Sequence, residues 1–222
     1  MGTLYLVRHG QASFGSDNYD QLSDLGWRQS RRLGEHFRQL GRRFDLILTG
    51  TLQRHAQTLA GIQEGMGTAQ ASTAWPGLDE YDSEALIQAI HPAPLPKPDT
   101  PELYRQHFRL LREGLQQWMN GTTQPVGLPS YTAFRQGVVA ALDHAQAHHD
   151  RDILLVSSGG PISTAVGHVL GTSADTTIEL NFHIRNSAVS EFKITPKGHR
   201  LVSYNTLSHL DDPVHRDWVT FA

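Results

Sequence analysis

The strongest constraint on the fold is a set of short apolar runs that alternate with helical patterns. Residues 4–7 and 153–156 are apolar at every position, and residues 44–48 are nearly so. Runs of this kind are typical of strands that are buried on both faces of a sheet. Their alternation with helices predicts an α/β fold, in which a mainly parallel central sheet lies between two helical layers in a three-layer α/β/α arrangement.

The helical segments carry recognisable end signals. Ser23 is an N-cap candidate for a helix that Gly41 ends, and another helix begins near Leu52. Thr100 and Pro101 begin a long helix with one apolar stripe. Its members are Tyr104, Phe108, Leu111, Leu115 and Trp118. Further helices are predicted at 131–147 and 161–170, and an antiparallel pair of strands at 188–194 and 201–205.

The alternation is interrupted in the middle of the chain. Residues 91–101 contain five prolines, which fit neither a central strand nor a helix interior. We therefore expect one domain over residues 1–222, with a cap or insertion at about residues 82–150. The aromatic side chains of the apolar stripe are expected to pack in this insertion, and as part of a cap they could also contact a substrate.

Composition excludes several classes of function. The chain has no cysteine, which rules out disulfides, a thiolate nucleophile and cysteine-bound zinc. Its net charge of −3 and the absence of a basic run argue against binding to nucleic acid or a membrane surface. No apolar run approaches the ~20 residues of a membrane span. His144 and His148 stand at a metal-binding spacing but lack a third ligand nearby, so we expect no metal site. The absence of cysteine and of a long apolar run leads us to expect a cytoplasmic protein.

Two polar segments follow predicted strands, where parallel sheets bind ligands. The first contains Arg8, His9 and Gly10, and the second contains Ser158, Gly159 and Gly160. Arginine offers a planar fork to phosphate oxygens, neutral imidazole is a nucleophile, and glycine permits close approach of the backbone. Gln11 and Ser13 could add hydrogen bonds. The alternative is that His9 is a buried structural histidine and Arg8 pairs with a surface carboxylate.

Several segments, in order along the chain, resemble the histidine phosphatase superfamily, whose best-known branch is the cofactor-dependent phosphoglycerate mutases. They are residues 3–12, 21–29, 51–58, 78–80, 156–160 and 205–210. The resemblance implies a phosphoglycerate mutase-like fold and transient phosphorylation of His9. It implies that Arg8 and Arg54 hold the phosphate and that Glu80 protonates the leaving alkoxide. It also adds Ser158 and Gly159 to the phosphate-binding set, with no metal and no cofactor.

Ser158 stands where this family usually has a second histidine. A serine hydroxyl donates one hydrogen bond but carries no positive charge. His55, His183 and His209 are unranked candidates for a compensating cation. The leading prediction is a metal-independent phosphomonoester hydrolase acting on a small phosphate ester. The alternatives are a phosphoglycerate mutase-type phosphotransferase and a catalytically weakened phosphate-binding or regulatory module, and a homodimer is left open.

Overall fold

The computed structural model describes residues 1–13, 20–96 and 99–221, so two positions of the proline-rich stretch lie outside the described residues. One six-stranded sheet has the order β3-β2-β4-β1-β5-β6. Its strands are β1 Thr3–Arg8, β2 Leu46–Thr49, β3 Thr73–Ala74, β4 Ile153–Ser157, β5 Val189–Thr195 and β6 Gly198–Thr206. The first four are parallel to one another, and β5 and β6 are antiparallel. The predicted α/β fold with a mainly parallel sheet is confirmed.

Seven α-helices connect or follow these strands in the described part of the chain. They are α1 Asp24–Gln39, α2 Gln53–Met66, α3 Ser83–Ile90, α4 Pro101–Met119, α5 Tyr131–Ala147, α6 Gly159–Leu170 and α7 Ala174–His183. The predicted end signals act as expected. The Ser23 hydroxyl accepts a hydrogen bond from the backbone N–H of Gly26, and Gly41 adopts a positive φ of 64° after α1.

Helices cover both faces of the sheet. They contact different residues on each face because successive side chains of a strand point to opposite sides. On one side, Tyr5 and Val7 of β1 pack with Leu33 of α1 and Ile62 of α2. On the other side, alternate residues of the same strands meet helices α5 and α6. That second cluster includes Leu4, Leu6, Leu155, Val138, Leu142, Ile162 and Val166. The continuous apolar runs of the sequence thus reflect burial on both faces.

Among the strands and α-helices of the described residues, three were not predicted from the sequence: β3, α3 and α7. β3 has only two residues and both are exposed, so it carries no apolar pattern. α7 contains polar residues through much of its length and buries only Thr177 and Ile178. The start of α6 was predicted at Pro161 but lies at Gly159, because Pro161 occupies the first turn rather than its first position.

Helices α3, α4 and α7 form a cluster of their own beside the sheet. Trp118 and Leu115 of α4 pack with Leu86 and Ile87 of α3 and with Ile178 of α7. The Trp118 indole N–H donates a 3.0 Å hydrogen bond to the carbonyl of Pro129. These helices therefore hold one another as a unit beyond the carboxyl ends of the strands. None of the helices in the described residues combines the length and apolar character needed to cross a membrane.

Candidate active site

The two polar segments identified in the sequence meet because their strands are neighbours. β1 and β4 pair in parallel, with Arg8 opposite Ser157. The backbone N–H of His9 donates a 2.9 Å hydrogen bond to the Ser157 carbonyl. His9 and Ser158 are thus the first residues beyond two adjacent strands, at the edge where parallel sheets bind ligands.

Backbone contacts fix the loop that follows β1. The Gly10 N–H donates to the hydroxyl of Thr58, which itself donates to the Arg54 carbonyl. A Cβ at Gly10 would lie 2.5 Å from the Gly26 carbonyl oxygen, so packing against α1 already requires glycine. The loop is therefore tied to the first turns of both α1 and α2.

The imidazole of His9 is buried and held in one orientation. Its Nδ1 lies 2.7 Å from the carbonyl oxygen of Gly10. A carbonyl can only accept a hydrogen bond, so Nδ1 carries the proton and Nε2 carries the lone pair. Burial, followed by the positive charges of Arg8 and Arg54 and by His55, lowers the pKa of His9 well below its ordinary value. The ring is neutral at pH 7.

Two guanidinium groups accompany His9. Arg8 donates a hydrogen bond to the Ile184 carbonyl, and Arg54 donates one of 2.8 Å to the Asp20 carboxylate. Asp20 also accepts from the backbone N–H of Gln53 at 2.9 Å. Leu52, the residue before α2, has no side chain that can cap, so Asp20 supplies the cap from a distant part of the chain. This carboxylate was not identified from the sequence, where no spacing links it to α2.

Glu80 follows the short 3₁₀-helix Pro76–Leu78 and points toward the same edge of the sheet. Its two oxygens accept hydrogen bonds from the backbone N–H groups of Gly160 at 3.1 Å and Tyr81 at 3.3 Å. Burial raises the pKa of the Glu80 carboxyl above its ordinary value, although the Gly160 N–H, Arg54 and Arg8 act in the opposite direction. The carboxyl therefore keeps its proton to a higher pH than an exposed glutamate.

One cavity of about 530 Å³ brings together Arg8, His9, Arg54 and Glu80. All four were predicted from the sequence. The remaining lining is partly polar and partly apolar. Its polar members are Asp20, Tyr81, Asp82, Ser83, Asn181 and His183, and its apolar members are Leu52, Phe108, Leu111, Phe182 and Phe221.

The other predicted residues lie around this cavity rather than along its described lining. Gln11 accepts a 2.7 Å hydrogen bond from the Ser23 hydroxyl, and the backbone N–H of Ser13 donates to the Gln21 carbonyl. Gln11 and Ser13 border a separate, open cavity. A Cβ at Gly159 would lie 2.6 Å from the Asn181 amide oxygen and 3.8 Å from the Arg8 Nε atom.

The three histidines considered as compensating cations differ sharply in their surroundings. His209 is buried, and burial with the nearby cationic side chains lowers its pKa to about 3. His183 is exposed at the cavity rim. His55 is fully buried, and its ring centre lies 5.8 Å from that of His9. Its Nε2 is 2.7 Å from the hydroxyl oxygen of Ser158.

Comparison with known proteins agrees with this arrangement. A sequence model of the histidine phosphatase superfamily, branch 1, matches residues 4–207. Phosphoglycerate mutase-like protein 1 of Arabidopsis thaliana is 29% identical over 121 residues, which are 48% of this chain and 43% of that protein. A 2,3-bisphosphoglycerate-dependent phosphoglycerate mutase of Methylorubrum populi is 34% identical over 89 residues, 37% of this chain and 39% of the mutase. The chain thus spans less than half the length of either relative.

Solved structures share the fold across nearly the whole chain. Phosphoserine phosphatase of Entamoeba histolytica, solved with 3-phosphoglyceric acid, has a TM-score of 0.67 at 20% identity, covering 95% of this chain and 100% of that one. A putative α-ribazole-5′-P phosphatase of Escherichia coli has a TM-score of 0.64 at 20% identity, with coverages of 93% and 97%. At such identities the likeness shows the fold alone, which is that of phosphoglycerate mutase-like proteins.

Proposed function

Because this chain belongs to the histidine phosphatase superfamily, we propose that it is a metal-independent phosphomonoester hydrolase that forms a phosphohistidine on His9. The observation that carries the proposal is the state of the His9 ring. Nδ1–H is bound to the Gly10 carbonyl, which leaves the Nε2 lone pair on a neutral imidazole at the cavity. A neutral, fixed imidazole is what nucleophilic attack on phosphorus requires.

The surrounding charges suit the transfer of a phosphoryl group. Such a group spreads negative charge over its equatorial oxygens, which positioned cations stabilise. Arg8 and Arg54 supply two guanidinium groups beside the His9 ring. Their planar forks match phosphate oxygens, and their charge also keeps His9 neutral. We assign both arginines to phosphate binding.

The leaving alkoxide needs a proton, and Glu80 is the group we assign to supply it. Its raised pKa favours the protonated carboxyl, and it lines the same cavity as His9. The backbone N–H of Gly160 holds one carboxyl oxygen in place. In the second step the resulting carboxylate can activate the water that hydrolyses the phosphohistidine, and this returns the proton to Glu80.

The rest of the cavity favours an ester with an apolar or aromatic leaving group. Phe108, Phe182 and Phe221 provide aromatic wall, and Leu111 adds apolar surface. Phe108 and Leu111 come from α4, which supports the proposal that residues 82–150 act as a cap over the site. Burying the apolar part of a substrate against such side chains stabilises the complex by roughly 25 cal/mol per Å².

A phosphoglycerate mutase-type reaction is the runner-up, since the two sequence relatives described above are a mutase and a mutase-like protein. A glycerate carboxylate and a second phosphate would both need cations. Among the described residues of the cavity, Arg8 and Arg54 are the only arginines or lysines, and Asp20 and Asp82 add negative charge. The lining therefore favours hydrolysis of a phosphate ester whose alcohol part carries no charged group.

The test is hydrolysis of p-nitrophenyl phosphate in the presence of EDTA, alongside 3-phosphoglycerate and 2,3-bisphosphoglycerate. We expect phosphate release from the aryl ester by the wild-type protein and by His168→Ala, which removes an exposed histidine of α6. An acid-labile phosphoryl group should be trapped on the wild-type enzyme. His9→Ala should show neither this group nor hydrolytic activity. Equal phosphate release by His9→Ala would refute the assignment, and conversion of 3-phosphoglycerate without phosphate release would favour the mutase. Phosphate binding without turnover would favour the regulatory module.

A further inference from the structure

Ser158, His55 and Asp79 form a chain of three buried or half-buried side chains. The His55 Nε2 lies 2.7 Å from the Ser158 hydroxyl oxygen, and its Nδ1 lies 3.7 Å from a carboxylate oxygen of Asp79. Asp79 in turn accepts hydrogen bonds from both the backbone N–H and the hydroxyl of Thr51. The proposed reaction does not yet use His55, Asp79 or the Ser158 hydroxyl.

Local structure is adapted to this chain at two positions. Ser158 is the N-cap residue of α6, yet its hydroxyl makes no capping hydrogen bond, because it faces His55 instead. A Cβ at Gly50 would lie 2.2 Å from the His55 Nδ1 and 2.6 Å from an Asp79 oxygen, so only glycine lets the imidazole and the carboxylate approach each other there. The Ser158 hydroxyl thus contacts His55 instead of capping α6, and glycine at position 50 leaves room for His55 beside Asp79.

The charge state of His55 decides what Ser158 can do. Asp79 faces Nδ1, which favours a proton on that nitrogen. In the neutral ring, Nε2 is then an acceptor, so the Ser158 hydroxyl donates to His55 and offers only lone pairs elsewhere. In the imidazolium, Nε2–H donates to Ser158, and the serine proton is released to donate to another acceptor.

We propose that His55, whose Nδ1 faces the Asp79 carboxylate, is protonated on Nε2 to an imidazolium when phosphate binds at His9, and that the Ser158 hydroxyl then donates a hydrogen bond to a phosphate oxygen. This inference rests on the proposed function, since it places the anion at His9. Asp79–His55–Ser158 then supplies the donor and the positive charge that Ser158 alone lacks. The proton that His55 gains comes from a solvent or buffer acid and forms a new N–H bond at Nε2, and no bond between heavy atoms forms or breaks.

The groups around His55 support a switch of this kind. Burial and the charge of Arg54 lower its pKa, whereas Asp79 and the more distant Asp20 raise it. The ring centre of His9 lies 5.8 Å from that of His55, and the pKa of His9 is well below its ordinary value, which favours its neutral form. The imidazole is therefore neutral in the empty site, and a bound dianion adds the negative charge needed to protonate it. Ser158 is assigned a contact with the phosphate, whereas His55 and Asp79 act through it as positioning residues.

Proton uptake on binding inorganic phosphate tests the switch without relying on turnover. Calorimetry at pH 7.5 in buffers of different ionisation enthalpy should show up to about one proton more taken up by the wild type than by His55→Gln. The ionisation of phosphate itself is common to both proteins and cancels. Equal uptake by the two proteins would overturn the proposal, and so would loss of uptake in His183→Gln, which would assign the proton to the cavity rim.

Moving the imidazole from position 55 to position 158 provides a second test through aryl phosphate hydrolysis. His55→Ala and Ser158→Ala should each reduce kcat by about a hundredfold, the loss typical of one preorganised donor, and the double alanine variant should lose little more. Ser158→His alone should reduce kcat, since His55 occupies the neighbouring space. His55→Ala combined with Ser158→His should recover at least about tenfold over His55→Ala.

The outcomes separate this proposal from the proposed function. If Ser158→His alone increases kcat, or if His55→Ala matches the wild type, the proposal is wrong although His9-dependent hydrolysis stands. An inactive wild type would instead contradict the proposed function, and phosphate-linked proton uptake would still test His55. Melting temperatures identify any variant that fails to fold. In that case the kcat of the double variant His55→Ala with Ser158→His, which restores an imidazole, decides between the outcomes.

Discussion

Replacing Glu80 with glutamine should reveal the general acid through the choice of substrate. In the structure the two carboxyl oxygens accept from the Gly160 and Tyr81 N–H groups at 3.1 and 3.3 Å. The glutamine carbonyl can keep the shorter bond, while its NH₂ group loses the longer one. One weakened hydrogen bond costs about 1 kcal/mol of folding stability, so Glu80→Gln should fold normally.

The catalytic loss should be much larger and should depend on the leaving group. A positioned general acid contributes about 10²–10⁴-fold to the rate when the leaving group needs a proton. We expect a loss of that size for an alkyl phosphate such as β-glycerophosphate, and a loss below about tenfold for p-nitrophenyl phosphate, whose phenolate is stable without a proton. Both substrates are assayed on the same protein, so structural damage affects both and cancels in the ratio.

The pH profile gives a second measure of the same group. Burial raises the pKa of Glu80 above its ordinary value, so the wild-type rate with the alkyl ester should fall as pH rises through that raised pKa. Glu80→Gln should lack this alkaline limb, whereas Glu84→Gln, which alters an exposed residue of α3, should keep it. Equal losses for both substrates, or an unchanged alkaline limb in Glu80→Gln, would refute the reasoning.

Two further substitutions test phosphate binding and the cap. Arg8→Lys should lower kcat/KM by about a hundredfold despite keeping the charge, since lysine cannot bind the Ile184 carbonyl and present a planar fork at once; unchanged saturation kinetics would remove Arg8 from the site. Trp118→Ala should lower the free energy of unfolding by about 3–5 kcal/mol, measured by denaturant titration, because it empties the centre of the α3–α4–α7 cluster. A loss below about 1 kcal/mol would mean that this cluster does not stabilise the fold.

The sequence predicted the elements whose patterns are set by burial. Residues 4–7 of β1 and 153–156 of β4 are all apolar because helices cover both faces of the sheet. α4 was predicted from its stripe, of which Trp118 packs in the cluster while Phe108 lines the cavity. α7 escaped prediction because its environment, rather than an apolar stripe, makes it helical, and β3 because two exposed residues form no pattern.

The site divides along a similar line. Arg8 and His9 could be identified because they are adjacent in sequence and follow a strand. The contact between His55 and Ser158 joins residues 103 positions apart, and no periodicity reports it. Sequence reasoning identified the missing cation at Ser158 and named His55 among three candidates. Only the packing of α2 against β4 brings His55 to the serine and sets it apart from the other two.

The shared surroundings shift the pKa values of His9 and Glu80 in opposite directions, and this limits how the proposed reaction can proceed. Burial favours the uncharged form of both, which is the nucleophilic imidazole and the acidic carboxyl. The charges of Arg8 and Arg54 favour the neutral imidazole of His9 but oppose the protonated carboxyl of Glu80. A bound phosphate dianion offsets their charge, so it strengthens the hold of Glu80 on its proton but also draws a proton toward His9. Burial and the two guanidinium groups lower the pKa of His9 well below its ordinary value. This opposes the effect of the dianion and favours an imidazole that keeps its lone pair. His55 has the Asp79 carboxylate 3.7 Å from its Nδ1, whereas Arg8 and Arg54 lower the pKa of His9, so of the two buried imidazoles His55 is the one that should take the proton.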